Sequence, residues 1–386
     1  GILLIFNQGK HLDVSNLRKG DEVVEKTKNY TNAVSDAEAT KKKLDKKYFN
    51  KGLNIGIQSG IYYGLYTALV TTATVYGIWK FWYSGEAGLS DITIAFILGT
   101  LATGINDLTS AIWAIVNSII KGKFGDFLKT LKTKPGMIMV FAAVVGGPIA
   151  GVTYILAVQM GGPVVIPIAG LNVAIGAILG RVILKQELTA RTILGIVICL
   201  ASSLLIGATS LTGEVKDGMV LGIILAIIAA FGWGLEGVIA GFGTSMIDSE
   251  IGIAIRQTTS SLANLFIVLP IFGLIEGSGI HLISSLFFKA FTDPTILILF
   301  ASGFFTFISF AFWYKGTSMC GAALGMACNG TYTFWGPFFC WIILGIILKN
   351  PGYEIAPIAW LGSVLMALGI FIMSVNPLDY LKRGNK

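Results

Sequence analysis

Apolar residues dominate most of this chain without alternating with polar ones. They run in some ten successive stretches from about Leu53 to Ser374. A stretch of ~20 apolar residues at ~1.5 Å rise per residue crosses a ~30 Å hydrocarbon core. The expected spans are 53–82, 92–119, 136–159, 162–184, 189–209, 219–244, 251–274, 295–318, 321–348 and 356–375. The connections between them are short and leave no room for a separate catalytic domain. Residues 10–51 are polar, with basic clusters at Lys41–Lys43 and Lys46–Lys47, and read as a solvated tail. Residues 36–49 of that tail can form a surface helix leading into the first span. The expected fold is an all-α membrane protein of ten transmembrane helices. It divides into a polar, basic tail (1–52), a first five-helix repeat (53–210), and a second five-helix repeat with a short C-terminal tail (219–386).

Composition agrees: 54% of residues are hydrophobic and 13% charged, against about 25% charged in soluble domains. The 48 glycines suit helices that approach closely in lipid, where small residues let backbones touch. The net charge of +7 does not read as a nucleic-acid signal. The basic residues gather in the tail, in Lys121–Lys134 and in Lys382–Lys386, as juxtamembrane lysines do. Cys199, Cys320, Cys328 and Cys340 fall within apolar spans with no CxxC pairing and no neighbouring histidine. They read as buried thiols, with no metal site.

With the tail inside, Lys121, Lys123, Lys129, Lys132, Lys134, Lys185, Arg191 and Lys315 fall on the inner side. The outer connections carry Glu86, Asp91, Lys216, His281, Lys289 and Lys349. The positive-inside rule then puts both termini in the cytoplasm, as an even number of crossings requires, in a multi-pass cell (plasma) membrane protein. Trp79 and Trp82 around Lys80 make an interfacial anchor. The stretch from Ile155 to Gly195 has a weaker echo between Lys315 and Gly362, with Met160 and Gly162 matching Met319 and Gly321. Each copy is the back end of a five-helix set. Five is odd, so tandem sets lie in opposite orientations, the inverted-repeat plan of secondary transporters.

Ten spans in a 5+5 arrangement resemble the drug/metabolite transporter superfamily, specifically its EamA-like members. The junction "ILGRVILKQELTARTILGIVICLASSLLI" carries the resemblance, with Glu187, Thr189 and Gly195 at the family's spacing. The second repeat departs from it, since Lys349-Asn350-Pro351-Gly352 replaces the Glu-containing loop. The segment "AAFGWGLEGVIAGFGTSMIDSEIGIAIRQTTSS" is similar to the branch that includes bacterial choline importers. The resemblance implies alternating access without ATP around a central cavity, with Glu187 in a structural or gating role. It does not name the cargo, because the family's substrates range widely.

Charges inside a span cost several kcal/mol unless paired or facing a wet cavity. Glu236 lies about ten residues from the turn near Ile247, hence ~15 Å deep, with Trp233 on the same face. Together they offer an anion and a π surface to an organic cation. Arg256 reaches a similar depth in the next span, so a purely structural Glu236–Arg256 ion pair is the competing reading. Asp107, beside Asn106 and with Trp113 further on, is a second candidate, against a helix-packing hydrogen bond. Gln257 and Asn264 are neutral candidates for the pathway. Tyr154, Tyr332, Trp335 and Asn329 are candidate cavity-wall residues, and Arg181 reads as snorkelling to the inner surface. Pro148, Pro163, Pro167 and Pro337 break or kink helices.

No Walker loop, GxSxG elbow, HExxH or serine–histidine–carboxylate set is present, so no enzymatic activity and no cofactor are expected. The expected function is secondary or potential-driven transport of a small organic cation or zwitterion such as choline. Protons are a candidate coupling ion, and the working form is a monomer or homodimer in the bilayer. Export of drugs or amino acids, and a non-transporting scaffold or receptor, are the alternatives.

Overall fold

The structure, a computed structural model, describes residues 20–161, 166–185, 188–208, 219–277, 279–351, 353–355 and 357–374, with side chains from Asp36 onward except at 158–161, 166–167, 203, 206–208, 219, 333, 359, 371 and 373–374. Among these the chain is helical without strands, and six helices are long and apolar enough to cross a membrane. A backbone that satisfies its own hydrogen bonds is what lipid requires, and a helix provides this within one segment. The chain divides between Phe49 and Asn50 into two compact units.

The long helices are α1 (Gly20–Thr74), α2 (Thr93–Ile120), α3 (Lys134–Val144 and Ala150–Gly161), α4 (Ile166–Ala169 and Asn172–Leu184) and α5 (Ala190–Ala208). They continue as α6 (Met219–Gly243), α7 (Ser249–Glu276), α8 (Ile296–Cys320), α9 (Ala322–Asn329 and Tyr332–Cys340) and α10 (Pro357–Ser374). Helix starts carry local signals. Thr133 accepts a hydrogen bond from the Gly136 amide ahead of α3, and Asp248 does so from the Glu250 amide ahead of α7. Each leaves fewer orphan amides in the first turn. Gly277 ends α7 in the left-handed conformation, φ +81°.

Three expected spans are interrupted. The stretch 53–82 ends at Thr74, and a separate short helix, Gly77–Tyr83, begins at a glycine with φ +54°. Asp293 caps that helix from across the fold, accepting from the Ile78 amide at 2.9 Å. The stretch 162–184 breaks at Gly170–Leu171 and 321–348 breaks at Gly330–Thr331. At both breaks i→i+3 bonds tighten the chain, as Leu171 to Ile168 and Thr331 to Cys328 show. The outer connection expected to hold His281 and Lys289 is instead the helix Gly279–Thr292. Its apolar positions Ile283, Leu286 and Ala290 pack beside Trp79 and Trp82, while its 14 residues leave it too short to read as a span. Inside α3, Pro148 sits in a wide π-helical turn, Val145–Ile149, because proline brings no amide to the ladder.

Packing follows a regular scheme. α5 lies along α10; α2 contacts α7 and α8; α6 contacts α3 and α4; α7 also contacts α3. α1 joins α8 through the Ser309 hydroxyl to the Ser59 carbonyl (2.9 Å) and the Ser302 hydroxyl to the Tyr66 carbonyl (3.1 Å). It joins α9 through Gly56, Gly60 and Gly64, where a Cβ would meet Cys328, Thr331 and Trp335 respectively, while one on Gly52 would meet Met319 at the end of α8. Four glycines spaced by four form one face of a helix, so the backbones touch along its length. Glu187, Pro163, Lys216 and residues 375–386 lie outside the described residues.

Candidate functional site

Arg256 of α7 is the centre of the site. It is 5% exposed and its Nε donates to Glu236 Oε1 of α6 at 2.9 Å. Its Nη1 donates to Gln257 Oε1 and lies 3.8 Å from Asp107 Oδ1 of α2. The guanidinium carbon stands 4.1 Å from the centre of the Phe310 ring, a cation–π contact. Glu236, 1% exposed, also accepts from the Tyr314 hydroxyl at 3.3 Å. Asp107, 6% exposed, accepts from the Ser260 hydroxyl at 2.6 Å through Oδ2. Two carboxylates thus share one guanidinium. With all three ionised the cluster carries one net negative charge, and a buried excess charge favours a cationic companion.

The backbone is shaped to admit this cluster. A Cβ on Gly146 would collide with the Glu236 carboxylate, and one on Gly147 with the Ser260 hydroxyl. Both glycines lie in the π-helical turn around Pro148. The Gly146 carbonyl accepts from the Trp233 indole at 3.0 Å, which fixes that ring beside Tyr154, 5.1 Å away between centroids.

A cavity of about 340 Å³ adjoins the cluster, within the ~300–1,000 Å³ usual for small-molecule sites. Asp107 and Arg256 form its charged wall; Tyr63, Tyr66, Tyr154 and Tyr332 dominate the rest. Tyr63 stacks on Tyr332 at 4.2 Å between centroids and lies 4.6 Å from Tyr66. A smaller cavity of about 50 Å³ shares Trp233, Arg256 and Tyr332 and adds Glu236, Asn172, Asn329 and Trp313. Its two asparagines flank the breaks in α4 and α9. Trp313 Nε1, on the same wall, is buried without a hydrogen-bond partner.

The sequence candidates sort accordingly. Glu236, Trp233, Tyr154, Asp107, Tyr332, Asn329 and Arg256 come together around these two cavities. Gln257 stands behind Arg256, bonded onward to Ser110 at 2.7 Å. The Glu236–Arg256 pair that would hold Glu236 structurally is formed. Trp113 lies apart, its indole on the Phe300 carbonyl and its ring beside Phe304. Trp335 lines a separate apolar cavity with Phe334 and Trp360. Asn264 is buried and lines neither central cavity. Arg181 is exposed near the end of α4. Sequence reading passed over Tyr63, Tyr66 and Phe310 as site residues. Tyr63 and Tyr66 are three apart on the helix whose glycines face α9, a signal that was available.

No family model matches this chain, and no curated protein matches it. A solved structure described only as "Crystal structure of protein" is similar to it, with a TM-score of 0.58 and 15% identity, over 84% of this chain and 96% of that one. At that identity the likeness is one of fold.

Proposed function

We propose that this protein is a secondary transporter of the drug/metabolite type that carries a small organic cation or zwitterion, such as choline, across a cell membrane. One observation carries the reading. An aromatic cavity of small-molecule size has Asp107 and Arg256 on its wall, and behind that wall the same guanidinium is shared with a second buried carboxylate, Glu236. That wall attracts positive charge, and tyrosine faces suit an organic cation.

The packing scheme supports two inverted repeats of five helices, α1–α5 and α6–α10. Exchanging each helix with its counterpart five positions on maps the contacts onto one another. α3 on α6 becomes α8 on α1, α4 on α6 becomes α9 on α1, and α2 on α8 becomes α7 on α3. α2 on α7 and α5 on α10 map onto themselves. The fourth helix of each set is broken near the cavity, as in transporters whose discontinuous helices frame a midplane site. The short helix Phe124–Thr130 between α2 and α3 corresponds to Gly279–Thr292 between α7 and α8. Alternation of the two sets would expose the cavity to each side in turn. The Glu236–Arg256 pair favours one other reading, export of amphipathic drugs or amino acids through a site that is electrically self-contained.

Uptake of labelled choline and labelled ethanolamine by proteoliposomes holding the full chain tests the proposal. Saturable uptake that is lost in Asp107→Asn and kept in Lys123→Ala is expected. Absence of uptake of both compounds in correctly folded wild type, under either sign of membrane potential, overturns it.

A further inference from the structure

Several central polar groups are satisfied by one another; Trp313 Nε1 beside the smaller cavity is not, and on the larger cavity Asp107 is only half paired. Gln257 accepts from Arg256 and donates to Ser110. Asn106 accepts from Ser302 (2.7 Å) and donates to Thr306 (3.1 Å). Trp233 donates to the Gly146 carbonyl. Asp107 Oδ2 has Ser260. Asp107 Oδ1 has only the Arg256 nitrogen at 3.8 Å, too long for a hydrogen bond. The residue is buried, yet it stands on the wall of the larger cavity. A carboxylate oxygen on a cavity wall without a donor from the protein is free to accept an N–H or O–H group from a ligand.

From this we infer that the cargo's cationic head carries at least one N–H hydrogen: it is a protonated primary, secondary or tertiary amine, bound through Asp107 Oδ1. The inference rests on the transport reading and narrows its cargo class. A quaternary ammonium satisfies the net charge but supplies no N–H to Oδ1. Its methyl groups also hold the positive centre away from the oxygen. An amine places the hydrogen on Oδ1 and leaves its carbon skeleton against Tyr63, Tyr66 and Tyr332. Arg256 remains with Glu236, so the amine completes a square of two positive and two negative groups. Asp107 is then the residue that determines specificity among ammonium ions, and the tyrosines contribute affinity shared by all of them.

Calorimetric titration of the purified full-length protein with ethanolamine, N-methylethanolamine, N,N-dimethylethanolamine and choline tests this. The hydroxyl and the charge are constant through the series, and each methyl removes one N–H. Affinity is expected to fall by about ten- to a hundredfold from the first member to the last, the range of one charge-assisted hydrogen bond. The gradient is expected to collapse in Asp107→Asn and to survive in Ser260→Ala, which keeps Oδ1. The wild-type ranking stands by itself if Asp107→Asn does not fold. Affinity that is flat or rises towards choline overturns the inference and leaves the transport reading intact. No binding by any member, together with no uptake of choline or ethanolamine, overturns both.

Discussion

Charge joins α2 to α7 twice. At one end of the pair, Lys121 and Lys123 meet Asp248 and Glu250, with Lys123 2.8 Å from Asp248 and 3.3 Å from Glu250. Further along, Arg256 of α7 lies between Asp107 of α2 and Glu236 of α6 at 3.8 and 2.9 Å. By distance the first cluster is the better made, since every charge has a short partner and the signs balance. By burial the order reverses. The side chains of the first are 25–44% exposed, and those of the second 1–8%. Exposed pairs are worth about 0.2–1 kcal/mol, whereas removing one partner from a buried set costs about 3–5 kcal/mol. The tighter cluster fastens two helix ends. The looser one, short of a positive charge, is where a ligand has something to complete.

The largest expected effect therefore comes from Arg256. Arg256→Met leaves two buried carboxylates with no counter-charge and should destabilise the protein by about 3–5 kcal/mol. Thermal unfolding in detergent would measure the loss. The double variant Arg256→Met/Glu236→Leu removes one negative charge along with the positive one and should recover a large part of it. If the double variant is no more stable than the single, the two groups do not act as a pair.

Gly146 sharpens the comparison from the backbone side. A Cβ there would overlap the Glu236 carboxylate, so Gly146→Ala must displace it from Arg256. Overpacking of this kind costs about 1–3 kcal/mol, and uptake should fall with it. Gly125→Ala is the control, since a Cβ at Gly125 meets nothing within 4 Å. Equal behaviour of the two variants would show that the central cluster has room to move the carboxylate without loss.

These clusters were not equally legible in the sequence. Apolar run length gave the helices, because crossing lipid demands it of any helix. It missed the breaks at Gly170 and Gly330, since an apolar run reads the same whether or not its hydrogen-bond ladder is continuous. The helix Gly279–Thr292 escaped for a different reason: it is apolar, but its 14 residues are too few for a span. Glu236 and Arg256 could be paired in advance because each lies a similar distance from the turn that joins α6 to α7. Asp107 could not be added to them, since its approach depends on α2 lying against α7, a contact between helices far apart in the chain that no local pattern encodes. Tyr63 and Tyr332 meet for the same reason, across the glycine ladder of α1. Trp113 and Trp335 show the limit of composition: on a helix in lipid, a tryptophan facing outward and one facing a cavity look alike.

The smallest expected effect belongs to the peripheral cluster, and its pH dependence separates it from the central one. Partial burial raises the Asp248 carboxyl, but hydrogen bonds from Lys123 and from the Glu250 and Ile251 amides outweigh that and hold it below the ordinary carboxylate range. Its contribution is complete above the unfolded value of about 4 and is lost as pH falls through the lower folded value. Lys123 is held above the ordinary lysine range, chiefly by its bond to Asp248. Its contribution is complete below about 10.4 and is lost as pH rises through the higher folded value. Between those limits nothing in the pair titrates. Lys123→Ala should cost about 0.2–1 kcal/mol, by an amount that stays constant between about pH 5 and 9 and shrinks in high salt. Thermal unfolding of wild type and variant across that range gives the difference directly. A stability gap that changes steeply near neutrality would mean that the ends of α2 and α7 are coupled to a titrating group elsewhere, and the two clusters would then have to be treated as one.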